Sequence, residues 1–135
     1  NDYHFNVDGD GEIIYTRPLD EVPRATWHRN TGSIAIALCC CYNARPNDLG
    51  EYPPTAAQIE TLAKMFAVIA EVFDNPIDRE HFMTHGEAAN DDGYGLYSGD
   101  PDCRWDLEQL CDQDEIGTGG DILRGKAQWY LENEV

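Results

Sequence analysis

The segment that most limits what this chain can fold into runs from Thr55 to Pro76. Thr55 is followed three residues later by Gln58, the Thr-x-x-Gln pair of a capping box, in which hydroxyl and amide side chains satisfy the free N–H groups that open a helix. Ile59, Leu62, Phe66, Ile69 and Phe73 then recur at spacings of three and four, which predicts one buried helical stripe. Asn75-Pro76 stops it, because proline lacks the N–H a helix needs and disfavours helical geometry in the residue before it. Residues 33–39, Ser-Ile-Ala-Ile-Ala-Leu-Cys, are nearly continuously apolar and predict a strand covered on both faces. A one-striped helix and a buried strand need each other, which selects layered helix-on-sheet architectures.

The remaining punctuation agrees. Residues 3–7 alternate large and polar side chains, Asp8-Gly9-Asp10-Gly11 supplies turn chemistry, and Glu12-Ile13-Ile14-Tyr15 resumes an extended pattern, so a hairpin is predicted. The Asp-Gly-Asp-Gly turn lacks the further oxygen ligand and closing glutamate of a calcium loop. His81-Phe82-Met83-Thr84-His85 predicts a short strand, residues 86–102 a Gly- and Asp-rich loop, residues 105–111 a short helix, and Gly119-Gly120-Asp121 the start of a last helix with Ile122, Leu123, Tyr130 and Leu131 as its apolar contacts. The expected fold is α/β, a mixed central β-sheet flanked by helices, with residues 1–135 as one domain.

Charge narrows the partners. Nine Lys and Arg stand against 26 Asp and Glu, a formal charge of −17, which repels phosphate backbones and anionic lipid surfaces. Nucleic acid is not expected as a partner, and no apolar run reaches the roughly 18 residues of a membrane span. The carboxylates fit a solvated surface or an adaptation to salt. No export signal is visible at Asn1-Asp2-Tyr3-His4-Phe5. The five cysteines, at 39, 40, 41, 103 and 111, contain no Cys-x-x-Cys spacing, which excludes a zinc ribbon. Neighbours along a strand face opposite sides, so two of Cys39, Cys40 and Cys41 are expected to pack as small core residues. Cys103 and Cys111 can pair in an oxidising setting, and an odd count leaves one thiol free in either case.

Four histidines stand at 4, 28, 81 and 85. His4 follows Tyr3 and faces the other side of its strand, where a structural role is expected. On a strand His81 and His85 would share a side with Cα atoms about 13 Å apart, too far for one ion, so only one of them is a candidate ligand.

Taken in order, the segments resemble the zinc-dependent N-acetylmuramoyl-L-alanine amidase and peptidoglycan recognition protein superfamily, including the small phage lysozyme-amidases. Tyr3-His4-Phe5-Asn6-Val7 with Asp10-Gly11-Glu12-Ile13 resembles its Tyr-His-Phe/Tyr strand and Asp-Gly turn. Trp27-His28-Arg29-Asn30-Thr31-Gly32-Ser33-Ile34-Ala35-Ile36 resembles the segment leading into its central strand. Pro54-Thr55-Ala56-Ala57-Gln58 resembles its helix opening, and Met83-Thr84-His85-Gly86-Glu87 the strand end that carries a zinc histidine.

The resemblance implies a zinc hydrolase that cuts the amide between N-acetylmuramic acid and L-alanine in peptidoglycan. It makes His85 a zinc ligand. Asp106 is the first choice for the third ligand, because Arg104-Trp105-Asp106 keeps a cation two positions before it, and Asp100 in Asp100-Pro101 is the alternative. Tyr3 matches the catalytic tyrosine of the phage branch. Arg104 stands where that branch has a lysine, so it is expected to stabilise an oxyanion electrostatically without donating a proton. His28 and Asn30 fall near the substrate groove. The family's first zinc histidine lies on a strand upstream of the Tyr-His-Phe segment, so the chain is expected to lack its N-terminal strand. The alternative is a non-catalytic peptidoglycan-binding module with an incomplete metal site. A monomer acting on the cell wall is expected, in a phage lysin or a bacterial wall-remodelling protein.

Overall fold

The structure is a computed structural model and describes residues 2–26 and 29–135. In chain order its elements are β1 (Phe5–Val7), β2 (Ile13–Tyr15), β3 (Ile36–Leu38), α1 (Ala56–Phe73), α2 (His85–Asp92) and α3 (Gly119–Asn133). β1 is central in a three-stranded mixed sheet, antiparallel to β2 with Phe5 opposite Tyr15 and Val7 opposite Ile13, and parallel to β3 with Phe5 opposite Ile36 and Val7 opposite Leu38. The expected hairpin forms, and the α/β class with a mixed sheet is as read from the sequence.

The predicted capping box is present: Gln58 N–H donates to Thr55 Oγ1 at 3.0 Å and Thr55 N–H donates to Gln58 Oε1 at 2.9 Å. Gln58 is fully buried, and its Nε2 donates to the carbonyls of Val7 and Cys39, at 3.1 and 3.0 Å. One amide therefore opens the helix and ties it to the ends of β1 and β3, leaving no polar atom of that side chain without a partner. Thr55 Oγ1 donates to Gly9 O and Thr61 Oγ1 to Gly11 O, which seats α1 on the β1–β2 turn. α1 packs along α3, and Leu62, Leu110 and Leu123 form a core cluster joined by Ile36, Leu38, Ile59, Phe66, Leu107 and Ile122. The helix ends at Asp74 in a left-handed cap, one residue before Asn75-Pro76.

His4 is fully buried. Its Nδ1 accepts Ala35 N–H at 3.0 Å, which fixes the Nε2–H tautomer, and Nε2 donates to Glu21 O at 2.8 Å. The ring joins the start of β1 to the approach to β3, the structural role expected of it.

Several expectations are corrected. Residues 81–85 are not a strand: Thr84 N-caps α2, with Glu87 as its capping-box partner, and His85 is the first helical residue. The Thr-x-x-Glu signature prevails here over the β-prone Phe-Met-Thr. Residues 105–111 form turns because their backbone is committed elsewhere. Asp106 O accepts Gly86 N–H, and Glu108 O accepts the N–H groups of Gly117 and Gly119. β3 is half-buried rather than covered on both faces, since it is an edge of the sheet. Cys39 is exposed and Cys40 and Cys41 are half-buried, so these thiols are not core residues. Phe73 is exposed together with Glu71 and Val72.

The site is positioned by a buried ion pair. Arg124 of α3 donates from Nη1 to Glu87 Oε1 and from Nη2 to Glu87 Oε2, both at 2.7 Å, and also to Phe82 O at 2.8 Å. Glu87 Oε1 accepts Thr84 N–H as well, while Arg79 lies 3.5 Å from Oε2 and forms a two-pronged pair with Asp91. Burial alone would raise the Glu87 carboxyl, but the hydrogen bonds from Arg124 and Thr84 and the charges of Arg124 and Arg79 outweigh it and hold it below its ordinary value. Close approach of α3 requires Gly120, where a Cβ would sit 2.3 Å from Glu87 Oε1.

Glu87→Gln is predicted to cost about 3–5 kcal/mol in urea unfolding, because it leaves a buried guanidinium without its main countercharge. A depressed carboxyl contributes stability above its unfolded pKa of about 4.3 and loses it as pH falls through the folded value, so the wild-type acid limb should flatten in Glu87→Gln. Glu108 is buried and pushed up by burial and by the charge of Glu87, so its contribution has the opposite sign and is lost as pH rises. Glu108→Gln should therefore raise stability at pH 7.

Candidate active site

The site lies where residues 105–108 are pressed between the first turns of α2 and α3. Gly86 N–H donates to Asp106 O at 2.5 Å, and a Cβ on Gly86 would stand 2.8 Å from Trp105 O and 2.6 Å from Glu108 Cγ. Only glycine allows this approach. The contact brings the neighbouring side chains together, so that His85 Nδ1 lies 3.5 Å from Asp106 Oδ2. His85 is 21% exposed and its ring meets the edge of Tyr94, with centroids 6.2 Å apart.

Asp106 keeps about half its surface open, 53%, yet is packed closely enough that burial would push its carboxyl up. The hydrogen bond and charge of His85, aided by the charge of Arg104, outweigh this and lower it. The tyrosine behaves differently: burial and the charge of Asp92 raise the Tyr94 phenol.

An open cleft of about 540 Å³ runs past these groups, a volume in the range of small-ligand sites. Its walls among the described residues include His85, Asp92, Tyr94, Asp100 and Arg104. Arg104 is brought in by its backbone, whose N–H donates to Tyr94 O at 3.0 Å in a short bridge pairing Gly95 with Arg104. Asp100 faces the same cleft, with its Oδ1 accepting Asp102 N–H at 2.8 Å. Ala25 also lines the cleft. Its loop is held by Asn30, whose Oδ1 accepts the N–H groups of Ala25 and Thr26 at 2.9 and 2.7 Å, and by a two-pronged Arg29–Asp92 pair at 2.6 and 2.9 Å.

The structure thus places His85, Asp100 and Arg104 on one cleft, with Asp106 against His85. Tyr3 is half-buried just before β1 and is not among the described residues that line the cleft. Asn30 spends its carbonyl oxygen on the loop, and His28 lies outside the described residues. Sequence reasoning missed Tyr94, Asp92 and Arg29. Tyr94 stands in a stretch with no periodicity, and the Arg29–Asp92 pair spans 63 positions, a separation no local pattern reports.

The imidazole of His85 lines the cleft, the Asp106 carboxylate stands against it, and the Arg104 guanidinium lines the same cleft. The family model for N-acetylmuramoyl-L-alanine amidase matches residues 1–101 of the 135, and the chain belongs to that family. The matched segment contains His85 and Asp100 and ends before Arg104 and Asp106. Comparison with curated proteins and with solved structures gives no match. The nitrogen of His85 and the oxygen of Asp106 are of the kinds zinc takes, but among the described residues no third His, Cys, Asp or Glu joins them in a metal-holding group.

Asn30→Ala is predicted to speed hydrogen exchange at the Ala25 and Thr26 amides while costing global stability only about 1–3 kcal/mol, the usual penalty for unpairing backbone donors.

Proposed function

We propose that this protein hydrolyses the amide bond between N-acetylmuramic acid and L-alanine in peptidoglycan, with zinc held by His85 and Asp106. The observation that carries the proposal is the 3.5 Å approach of Asp106 Oδ2 to Nδ1 of the cleft-lining His85, in a chain of the amidase family. When bound, zinc polarises the scissile carbonyl and lowers the pKa of its water towards about 7. Two protein donors hold zinc poorly, so the reading calls for a third, the histidine of an upstream strand that the family resemblance implies. Asp100, which faces the same cleft, is the alternative carboxylate ligand.

The chain's own residues supply the rest. Arg104 faces the cleft and stabilises negative charge on the carbonyl oxygen electrostatically; its high pKa bars it from donating a proton. The resemblance gives proton handling to Tyr3, while Tyr94, whose ring meets His85, is the phenol in the cleft itself. Asn30 shapes the Ala25 wall against which the muropeptide lies, and His28 is proposed as a further substrate contact. The setting is a phage lysin or a bacterial wall-remodelling enzyme acting as a monomer on the cell wall. No helix among the described residues is long and apolar enough to cross a membrane.

The alternative is a binding module that keeps the cleft without hydrolysis, and the two-donor count among the described residues favours it. The deciding experiment follows muropeptide cleavage by mass spectrometry with the natural full-length protein, chelated and then reloaded with zinc. Cleavage abolished by chelation and restored by zinc is expected; zinc-replete protein that binds muropeptide and leaves it intact selects the binding module. Arg104→Ala should lower kcat on the order of 100-fold with folding retained. Asp106→Ala should lose zinc and Asp100→Ala keep it, and the reverse outcome moves the ligand to Asp100.

A further inference from the structure

The three consecutive cysteines that follow β3 take no part in the chemistry above. On an extended chain adjacent side chains face opposite ways, yet the sulfurs of Cys40 and Cys41 lie 3.4 Å apart, with Cys40 donating to Cys41. The cause is local. Cys41 adopts the left-handed conformation, with φ 63°, unfavourable for a residue other than glycine. It is held there because its N–H donates to Tyr52 O at 2.6 Å and its carbonyl accepts Ala44 N–H at 3.2 Å. Both thiols are free and half-buried, so they are within reach of a small reagent. Their separation is well beyond the roughly 2.05 Å of a disulfide bond.

That spacing is a chelating bite. With bonds of about 2.3 Å, as between zinc and thiolate, sulfurs 3.4 Å apart subtend roughly 95° at a bridging atom. No third His, Cys, Asp or Glu among the described residues joins them in a metal-holding group, so a four-coordinate protein site for zinc is not matched. An atom that needs only two sulfurs from the protein is matched. We propose that Cys40 and Cys41 form a two-thiol site for a thiophilic trivalent electrophile, of which an organic arsenic(III) oxide is the simplest, its third bond already filled by carbon. In the step, two arsenic–sulfur bonds form and the arsenic–oxygen bond breaks. The two thiol protons leave with that oxygen as water, and no oxidation state changes.

The shared hydrogen bond also makes the two thiols unequal. It lowers the Cys41 thiol, against burial and the charge of Asp106, and raises the Cys40 thiol. The site stands whether or not the chain cuts peptidoglycan.

The test treats the reduced full chain with phenylarsine oxide and reads intact mass. One adduct per chain is expected, surviving excess 2-mercaptoethanol and removed by 2,3-dimercaptopropanol. Cys40→Ser and Cys41→Ser should each weaken retention on the order of 100-fold, because the second attachment gains its strength from being intramolecular. Cys40→Ala and Cys41→Ala repeat the measurement should a serine variant lose its circular dichroism. Cys39→Ser, Cys103→Ser and Cys111→Ser should keep the adduct. An adduct that persists in folded Cys40 and Cys41 variants, one that depends on Cys39, Cys103 or Cys111, or no dithiol-reversible adduct at all overturns the proposal.

Discussion

The ion pair between Glu87 and Arg124 is the interaction on which the rest of the structure depends. A carboxylate and a guanidinium removed from water are costly unless their hydrogen bonds are completed, and here they are: by each other, by Thr84 N–H, by Phe82 O and by the nearby Arg79. Meeting that demand fixes α2 against α3 to within hydrogen-bond tolerance. Glu87 is also the capping partner of Thr84, so the same carboxylate sets where α2 begins. His85 is the first residue inside that boundary, and its direction follows from the cap. Gly86 then admits residues 105–106, and Asp106 arrives opposite the imidazole. The site geometry is thus a consequence of buried electrostatics one turn away from it.

The interior elsewhere follows the same pattern. Three strands of three residues each bury little apolar surface, and polar side chains carry out much of the joining. Gln58 ties α1 to two strands, and His4 ties β1 to the segments on either side of it. Gln109, fully buried, holds the loop at Asn47 through Asn47 N–H at 2.7 Å and Asn47 Oδ1 at 3.1 Å. Each is satisfied on both its donor and its acceptor side. Such networks demand one arrangement, since a displaced member leaves several groups without partners at once. The apolar cluster around Leu62, Leu110 and Leu123 supplies non-directional cohesion, and the polar ties select the register.

What could be read from the sequence was what local chemistry decides. The capping box at Thr55 and Gln58, the Asp-Gly turn between β1 and β2, the start of α3 at Gly119 and the structural role of His4 all rest on neighbouring residues. The errors have two sources. At Thr84 two local signals competed, and the β-prone Phe82-Met83-Thr84 hid a capping box of the same type as the one recognised at Thr55. At residues 105–108 the missing information was tertiary, since nothing in Trp105-Asp106-Leu107-Glu108 announces that its carbonyls serve glycines of two helices. Of the residues named from motif order, His85, Asp100 and Arg104 line one cleft and Asp106 stands 3.5 Å from His85. Tyr94 and the Arg29–Asp92 pair depend on chain segments meeting across the cleft. The cysteine triplet misled because alternation along a strand was assumed to continue past Leu38, where Cys41 turns left-handed.

The position of Arg124 has a consequence for how this domain can be divided. The segment matched by the family model ends at residue 101, while the guanidinium that neutralises its buried Glu87 comes from α3, beyond that limit. Homology and folding therefore draw different borders. A chimaera cut at residue 101 would keep His85 and Glu87 and lose the guanidinium that neutralises Glu87, so the transferable unit is the stretch that includes α3.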